Sequence, residues 1–487
     1  MKKLLNRQQS HFYWLIPIIF FIAISASCAQ VTALPRANPL ERKTNQEIFA
    51  IKNVNIIPMT AGGVVMQNAT VIIKNERIES INGSVPKGAK IIDGTGKWLI
   101  PGLIDMHVHV PTDSRFSPKL PTQGATMFFD LQDYMTLHIA NGVTTIFDLN
   151  SRAEHFGQRN EIGKGKVIGA RMALSALLEG GEGQGRRVNT AEDGRQAVRS
   201  AKAEGYEFIK LYSELNVETF HAIIDEANKQ GLKTIGHIPD AFQGKLKDAF
   251  VPHFGMVAHA EELTKHAKDY SEQEAQRFAQ LMKENSTWLT PTLTTMVWIA
   301  SQVRSLDEIR ASKTLQYKHP LLQSKWLTAN RYNKMSNPES IAKFEKFVKF
   351  NALLVKACKA AGVPIVLGTD ASTSGVVEGF AVHDEIELMV AAGMTPEEVL
   401  TSATRLSATW LGIESEVGTV EVGKRADLVL LDANPLSDVK NTRKIAGVFV
   451  NGYWLEKTKI DAQLLDLSKR NTAAKGDFDW KKTISGQ

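Results

Sequence analysis

The sequence predicts an α/β protein in which a TIM-type (β/α)8 barrel carries a small β-sandwich domain built from both chain ends. Three observations carry that expectation. Apolar, strand-like runs alternate with helical segments about eight times through the middle of the chain, the count of such a barrel. Stretches rich in strand signals flank this region on both sides, and neither is large enough to close a core alone. Within the first of the alternating units, the apolar run from Trp98 to Val110 contains His107-Val108-His109. A strand repeats every two residues, so both imidazoles point the same way while Val108 points to the other side. At 487 residues the chain also exceeds one ordinary core, which leaves room for a second domain.

Taken in order, residues 1–29 read as an export signal. Lys2, Lys3 and Arg7 precede an apolar run from Phe12 to Ser27, and Ser27-Cys28-Ala29 supplies the small residues of a cleavage site. The rival reading is a lipid anchor at Cys28, but Ser25 stands where a lipoprotein signal usually has an apolar residue. A stable membrane span is not expected in the mature chain, because the run is short and carries Pro17. The expected location is periplasmic or secreted. Residues 30–46 are polar and read as a linker. The N-terminal part of the small β domain, 47–96, has strands expected over Phe49–Ile57, Ala69–Lys74 and Ala89–Ile92, with turns at Asn75-Glu76 and Asp93-Gly94.

The barrel is expected over 97–412. After the His107 strand, a helix over Phe129–Ala140 leads to a strand over Gly142–Asp148, and Lys166–Leu174 reads as the next strand. A helix over Thr190–Glu204 precedes the strand Tyr206–Tyr212. A helix over Val217–Gln230 precedes the strand Leu232–His237. Strands follow over Met256–His259 and Thr287–Pro291, with a helix over Ser271–Asn285 between them. The helix Ser340–Ala361 leads into a last strand over Pro364–Asp370. Residues 298–339 are surplus to the eight units and read as a helical insertion, a candidate lid. Val417–Asp432 and Ile445–Gly452 return the chain to the small β domain, 413–470, and 471–487 is a tail.

Composition narrows the function classes. Hydrophobic content of 43% and charged content of 23% are those of a globular enzyme. The formal charge of +6 falls by three when Lys2, Lys3 and Arg7 leave with the signal, and no basic stripe remains to suggest nucleic acid. Only Cys28 and Cys358 occur, so a processed chain has no internal disulfide.

Barrels of this type carry their functional groups at the C-terminal ends of strands. Besides His107 and His109, four polar residues close apolar runs: Lys210, His237, His259 and Asp370. A single such residue is commonly a satisfied core group or half of a salt bridge. Five strand ends converging on one rim are poorly explained that way.

The stretch Pro101-Gly102-Leu103-Ile104-Asp105-Met106-His107-Val108-His109, with Lys210, His237, His259 and Gly368-Thr369-Asp370, resembles the amidohydrolase superfamily of metal-dependent barrel hydrolases. It is most similar to the branch of imidazolonepropionase-like proteins and Xaa-Pro or Xaa-Arg/Lys dipeptidases. The likeness continues through His383–Met389, Ala392–Glu398, Ala403-Thr404, Ala408–Gly412 and Val417–Val429. It implies that His107, His109 and Asp370 hold one metal ion and that His237 and His259 hold a second. Lys210 would bridge the two as N6-carboxylysine. Imidazole and carboxylate donors without thiolate point to Zn²⁺ or a similar divalent ion, and paired ions of this kind lie about 3.5–4 Å apart. The imidazolone-hydrolysing proteins look mononuclear and lack the lysine, so Lys210 favours the dipeptidase side.

The activity so implied is hydrolysis of a C–N amide bond in a small molecule, such as a dipeptide or N-acyl amino acid. A water made acidic by the metals attacks the carbonyl, and Asp370 serves as general base and then general acid. Tyr212, two residues beyond Lys210 on the same strand face, is expected to bind the substrate's carbonyl or carboxylate. Its bland alternative is a rim tyrosine packed on the insertion. Arg186 and Arg187, in the Gly-rich loop 178–187, are candidates to clamp a carboxylate, with a solvated loop the equal alternative. The other readings are a lactone or cyclic-imide hydrolase and a metal-containing binding protein without turnover. His383 is expected to orient its helix. Relatives often form dimers or larger rings, so a homo-oligomer is an expectation by analogy alone. Ile238-Pro239-Asp240 and Ala260-Glu261-Glu262-Leu263 depart from the relatives and reshape the loops around the cluster.

Overall fold

The computed structural model describes residues 47–485 except 113, 116–125, 128, 183 and 184. The expected export signal (1–29, with Cys28) and the linker (30–46) lie outside the described residues. None of the described helices is long and apolar enough to cross a membrane.

Two sheets organise the chain, as the sequence predicts. The small domain is a mixed eight-stranded sheet drawn from both chain ends. Its order is Tyr453–Glu456, Ile445–Val450, Leu428–Leu431, Trp98–Pro101, Phe49–Ile56, Met66–Lys74 and Arg77–Ile81, with Lys90–Asp93 pairing Phe49–Ile56. The seam between the two ends is antiparallel, with Leu428 opposite Pro101 and Leu431 opposite Trp98. Phe49, Ile51, Leu99, Leu428 and Phe449 share one buried cluster, so neither end has a core without the other. The strand Arg77–Ile81 is absent from the sequence expectation. Asn75 and Glu76 both adopt positive φ, 50° and 66°, which makes the tight two-residue hairpin that returns the chain along Met66–Lys74.

The barrel strands are Leu103–Val108, Val143–Asp148, Arg171–Glu179, Phe208–Leu211, Lys233–Gly236, Met256–Ala258 and Trp288–Thr290, all parallel and paired in chain order. The segment Pro364–Ala371 closes the ring without a regular ladder. Ile365 bridges Leu289 and Ala371 bridges Val108. The backbone of Met106 donates to Leu367 and that of Asp370 to His107, at 2.9 and 2.8 Å. Inside, Phe208 stacks on Trp410 with ring centroids 5.1 Å apart and meets Phe147 at 4.7 Å. This apolar floor fills the barrel below Lys210, which lies two residues along the same strand face.

Helix boundaries follow capping chemistry. Thr190 caps Ala191–Glu204 by accepting from the Asp193 amide, and Ser271 caps Glu272–Glu284 likewise. Asn337 caps the long helix Pro338–Ala361, which Gly362 ends at φ 72°. Three expectations need correction. Ala153–Gly163 is helical, and the third strand lies at Arg171–Glu179 instead of 166–174, because pairing of Arg171–Leu174 with Thr145–Asp148 sets its register. The span 413–470 is not all β, since Lys457–Ala473 is a helix tied to the barrel side by a bidentate Arg470–Asp133 pair at 2.6 and 2.8 Å. The surplus segment is helical as expected, but its first helix begins at Leu293.

Two buried histidines away from the strand ends set an acid limit on stability. His138 has no hydrogen-bond partner for either ring nitrogen, and His383 bonds only through Nδ1, to Thr442 Oγ1 at 2.9 Å. Burial lowers them to about 4 and about 3 respectively. Unfolding returns each to an ordinary value near 6.5, so the unfolded chain binds more protons between those limits. The stabilisation is complete above pH 6.5 and is lost as pH falls, by about 1.4 kcal/mol per unit per histidine. Thermal melting from pH 7.5 to 4.5 is expected to show this slope, and His138→Leu is expected to flatten it relative to the wild-type chain.

Candidate metal centre

The six strand-end residues converge. His107, His109, Lys210, His237, His259 and Asp370 line one cavity of about 320 Å³ at the C-terminal rim of the barrel. Asp370 Oδ1 lies 2.9 Å from His109 Nε2 and 3.3 Å from His107 Nε2. The His259 ring sits 4.5 Å from that of His107 and 5.0 Å from that of His237. Ligand atoms of His107, His259 and Asp370 all fall within 4.8 Å of one another, close enough to share one metal ion. His259 and Asp370 both hold positive φ, 77° and 57°, which is uncommon for residues with a Cβ and typical of functional positions held by their surroundings.

Neighbouring groups fix the imidazoles. His237 Nδ1 meets Ser213 Oγ at 2.7 Å and Glu262 Oε1 at 3.3 Å, which leaves Nε2 buried with no partner. His259 Nδ1 meets Thr292 Oγ1 at 2.8 Å. Such contacts select the tautomer that presents the other nitrogen to a metal. Asp105, on the same strand face as His107, is a further residue of the site that has no role in the sequence expectation. Its fully buried carboxylate receives Thr369 Oγ1 at 2.6 Å and the backbone amides of Thr369 and His107 at 3.0 and 3.2 Å. It thereby clamps the first barrel strand to the segment bearing Asp370. Parity with His107 was the available signal.

The electrostatics suit a cation. Burial, and then Lys210, hold His107 and His237 well below the ordinary histidine value, and burial takes His259 to about 3. All three are therefore neutral at pH 7, with a lone pair free for a metal. Burial alone would raise the Asp370 carboxyl, but the His109 hydrogen bond and the nearby His259 and Lys210 outweigh it and keep it below its usual range. The Lys210 amine is fully buried without a hydrogen-bond partner, as is His107 Nδ1. Orphaned donors of this kind are costly unless a further group completes them, and four imidazoles with one carboxylate fit a divalent metal.

Of the expected substrate contacts, Tyr212 lines this cavity, its ring 4.2 Å from that of His237. Arg186 and Arg187 do not. Arg186 is held by Glu204 at 2.7 and 2.9 Å, and Arg187 donates to the Glu182 carbonyl at 3.2 Å. The loop pairs back on its own strand, with Arg186 opposite Leu178 and Arg187 opposite Glu179, and neither side chain lines the metal cavity. The insertion instead contributes Arg331 and Tyr332 to the cavity wall, and no local sequence signal marks them. His383 lies outside the cavity, bonded to Thr442, in keeping with its expected part in seating the helix Phe380–Ala391.

A parallel barrel whose rim gathers histidines and an aspartate close enough to share a metal ion has the arrangement of a metal-dependent hydrolase. The chain belongs to the amidohydrolase family, whose model matches residues 98–455. A 5'-deoxyadenosine deaminase from Methanobrevibacter smithii is 22% identical over 85% of this chain and 92% of its own length. Among solved structures, a candidate prolidase from Bifidobacterium longum is 25% identical, covers 87% of this chain and 99% of its own, and superposes with a TM-score of 0.63. A Xaa-Pro dipeptidase with methionine in its active site is 21% identical over 84% of this chain and all of its own, again with a TM-score of 0.63. The relatives thus span deaminase and dipeptidase branches of the superfamily and single out neither.

Proposed function

We propose that this protein is an exported, binuclear amidohydrolase that cleaves the C–N amide bond of a dipeptide or N-acyl amino acid. The observation that carries the reading is Lys210, a buried amine without a hydrogen-bond partner in the cavity that also gathers His107, His109, His237, His259 and Asp370. Burial lowers the Lys210 amine to about 7, so a large share of it is neutral and nucleophilic at physiological pH. Its nitrogen can add to carbon dioxide with loss of a proton, giving N6-carboxylysine, whose single negative charge is shared by two donor oxygens where the free amine has only one lone pair. His107, His109 and Asp370 would hold one divalent ion, His237 and His259 the second, and the Lys210 carbamate both. Zn²⁺ is the ion that best suits these donors.

When bound, such ions polarise the substrate carbonyl and raise the acidity of water. The chain's own groups then direct the protons. Asp370 accepts the proton of the attacking water as its oxygen bonds to the carbonyl carbon. The same carboxyl delivers that proton to the leaving nitrogen as the C–N bond breaks, releasing a carboxylic acid and an amine. Thr373 Oγ1 donates to Asp370 Oδ2 at 3.1 Å, which keeps the carboxylate turned to the cavity. Tyr212, raised above the usual phenol value by burial, stays protonated and is placed to donate to a substrate oxygen.

A hydrolysis screen of the metal-loaded protein tests the reading against dipeptides, N-acyl amino acids, lactones, cyclic imides and aminopurine nucleosides. Turnover of the first two classes supports it. Turnover confined to lactones or imides, or ammonia release from nucleosides alone, overturns the substrate class. Export rests on Lys2, Lys3, Arg7 and the apolar run after them, and cleavage after Ala29 is expected in the mass of the mature chain.

A further inference from the structure

A second cavity, of about 250 Å³, adjoins the metal centre and shares Arg331, Tyr332 and Thr373 with it. Among the described residues two cations line it, Lys325 and Arg331, along with Ser372, Thr373 and Ser374, and no acid does. Among the described residues neither cation is in a salt bridge. The Lys325 ammonium lies over the Trp480 ring at 4.7 Å. The Arg331 guanidinium stacks over the Tyr332 ring at 4.6 Å and donates to its hydroxyl at 2.5 Å. By contrast, Lys265 in the metal cavity is neutralised by Glu262 at 2.7 Å and Glu261 at 3.5 Å. Like charges that share a cavity repel, and burial together with Arg331 lowers the Lys325 ammonium. An anion between the two would relieve that cost.

We infer that Lys325 and Arg331, both from the helical insertion, form an anion subsite for a free carboxylate of the substrate. Thr373 sets its position, because it lines both cavities and hydrogen-bonds Asp370. A carboxylate held there lies close to the scissile amide, as the terminal carboxylate of a dipeptide or N-acyl amino acid does. The inference rests on the amidohydrolase reading for the identity of the ligand. It gives the insertion a recognition role and places the clamp there, not in the loop of Arg186 and Arg187.

The test is equilibrium binding with a probe that is not hydrolysed. Levulinate, the ketone isostere of N-acetylglycine, and 2-hexanone, a neutral ketone of similar size, are titrated calorimetrically into the metal-loaded protein. Levulinate is expected to bind at least ~10-fold more tightly than 2-hexanone, the range of one charge-assisted hydrogen bond. Arg331→Gln and Lys325→Gln are each expected to reduce that preference about tenfold while leaving the melting temperature near wild type. Equal affinity for the two probes, binding of neither, or a preference that survives both substitutions overturns the subsite. Carboxylate-selective binding by a protein that hydrolyses no amide leaves the subsite standing and overturns the amidohydrolase reading instead.

Discussion

Replacement of Asp370 by asparagine is expected to lower kcat for amide hydrolysis by about 10²–10⁴-fold, the range of a lost general acid–base group. The amide keeps the shape of the carboxylate and can still meet His109 and Thr373, but it cannot take up the proton released on attack. The native carboxyl is anionic at neutral pH, since the His109 hydrogen bond and neighbouring His259 and Lys210 overcome the effect of its burial. KM is expected to change far less than kcat, because the loss falls on the transition state. Steady-state kinetics beside metal analysis of the same preparation check this. A kcat within tenfold of wild type, with metal retained, would remove Asp370 from the proton path and return it to a ligand's role.

Substitution of Glu378 by alanine is expected to destabilise the fold by about 3–5 kcal/mol, the cost of leaving one partner of a buried ion pair alone. Glu378 is fully buried and meets Lys318 Nζ at 2.5 Å and Ser372 Oγ at 2.6 Å. Burial would raise its carboxyl, but Lys318 and Ser372 outweigh that and hold it below the usual value. Ser372 also lies 3.2 Å from the His109 carbonyl, so the pair ties the insertion to two strand ends of the metal centre. The next residue, Gly379, has φ 70°, and a Cβ there would lie 2.1 Å from the Leu137 carbonyl oxygen, which fixes the chain's path beside the pair. Chemical denaturation of Glu378→Ala and of the double variant Lys318→Met, Glu378→Met separates charge from packing. The double variant is expected to recover most of the loss. Equal destabilisation of both would assign the effect to volume.

What was legible in the sequence is what strand periodicity and chemistry fix together. His107 and His109 share a face because they are two residues apart, and Lys210, His237, His259 and Asp370 each end an apolar run that a barrel must direct to one rim. Those positions converge in the structure. The unread features depend on partners distant in the chain. The third strand slides to Arg171–Glu179 because its apolar stretch offers more than one register and the Thr145–Asp148 strand selects among them. The helix Ala153–Gly163 is mostly polar with few buried positions, so no apolar stripe announces it. Thr292 acts through a contact with His259 that no local pattern encodes, and for Asp105 parity with His107 gives the face but not its partner Thr369. Arg331 stands in a segment whose composition marks it only as surplus, and its place at the metal cavity arises from how the insertion folds back. Arg186 and Arg187 mislead for the opposite reason: a Gly-rich loop at a strand end suggests the rim, whereas Glu204 draws Arg186 to the adjacent helix.

Metal content of the purified protein by plasma mass spectrometry, compared with that of Lys210→Ala, bears on the binuclear centre without requiring a known substrate. Near two divalent ions per wild-type chain, falling towards one or none in the variant, is the predicted result. One ion per chain, unchanged when Lys210 is replaced, would contradict it and leave a mononuclear site of His107, His259 and Asp370 with Lys210 a structural residue.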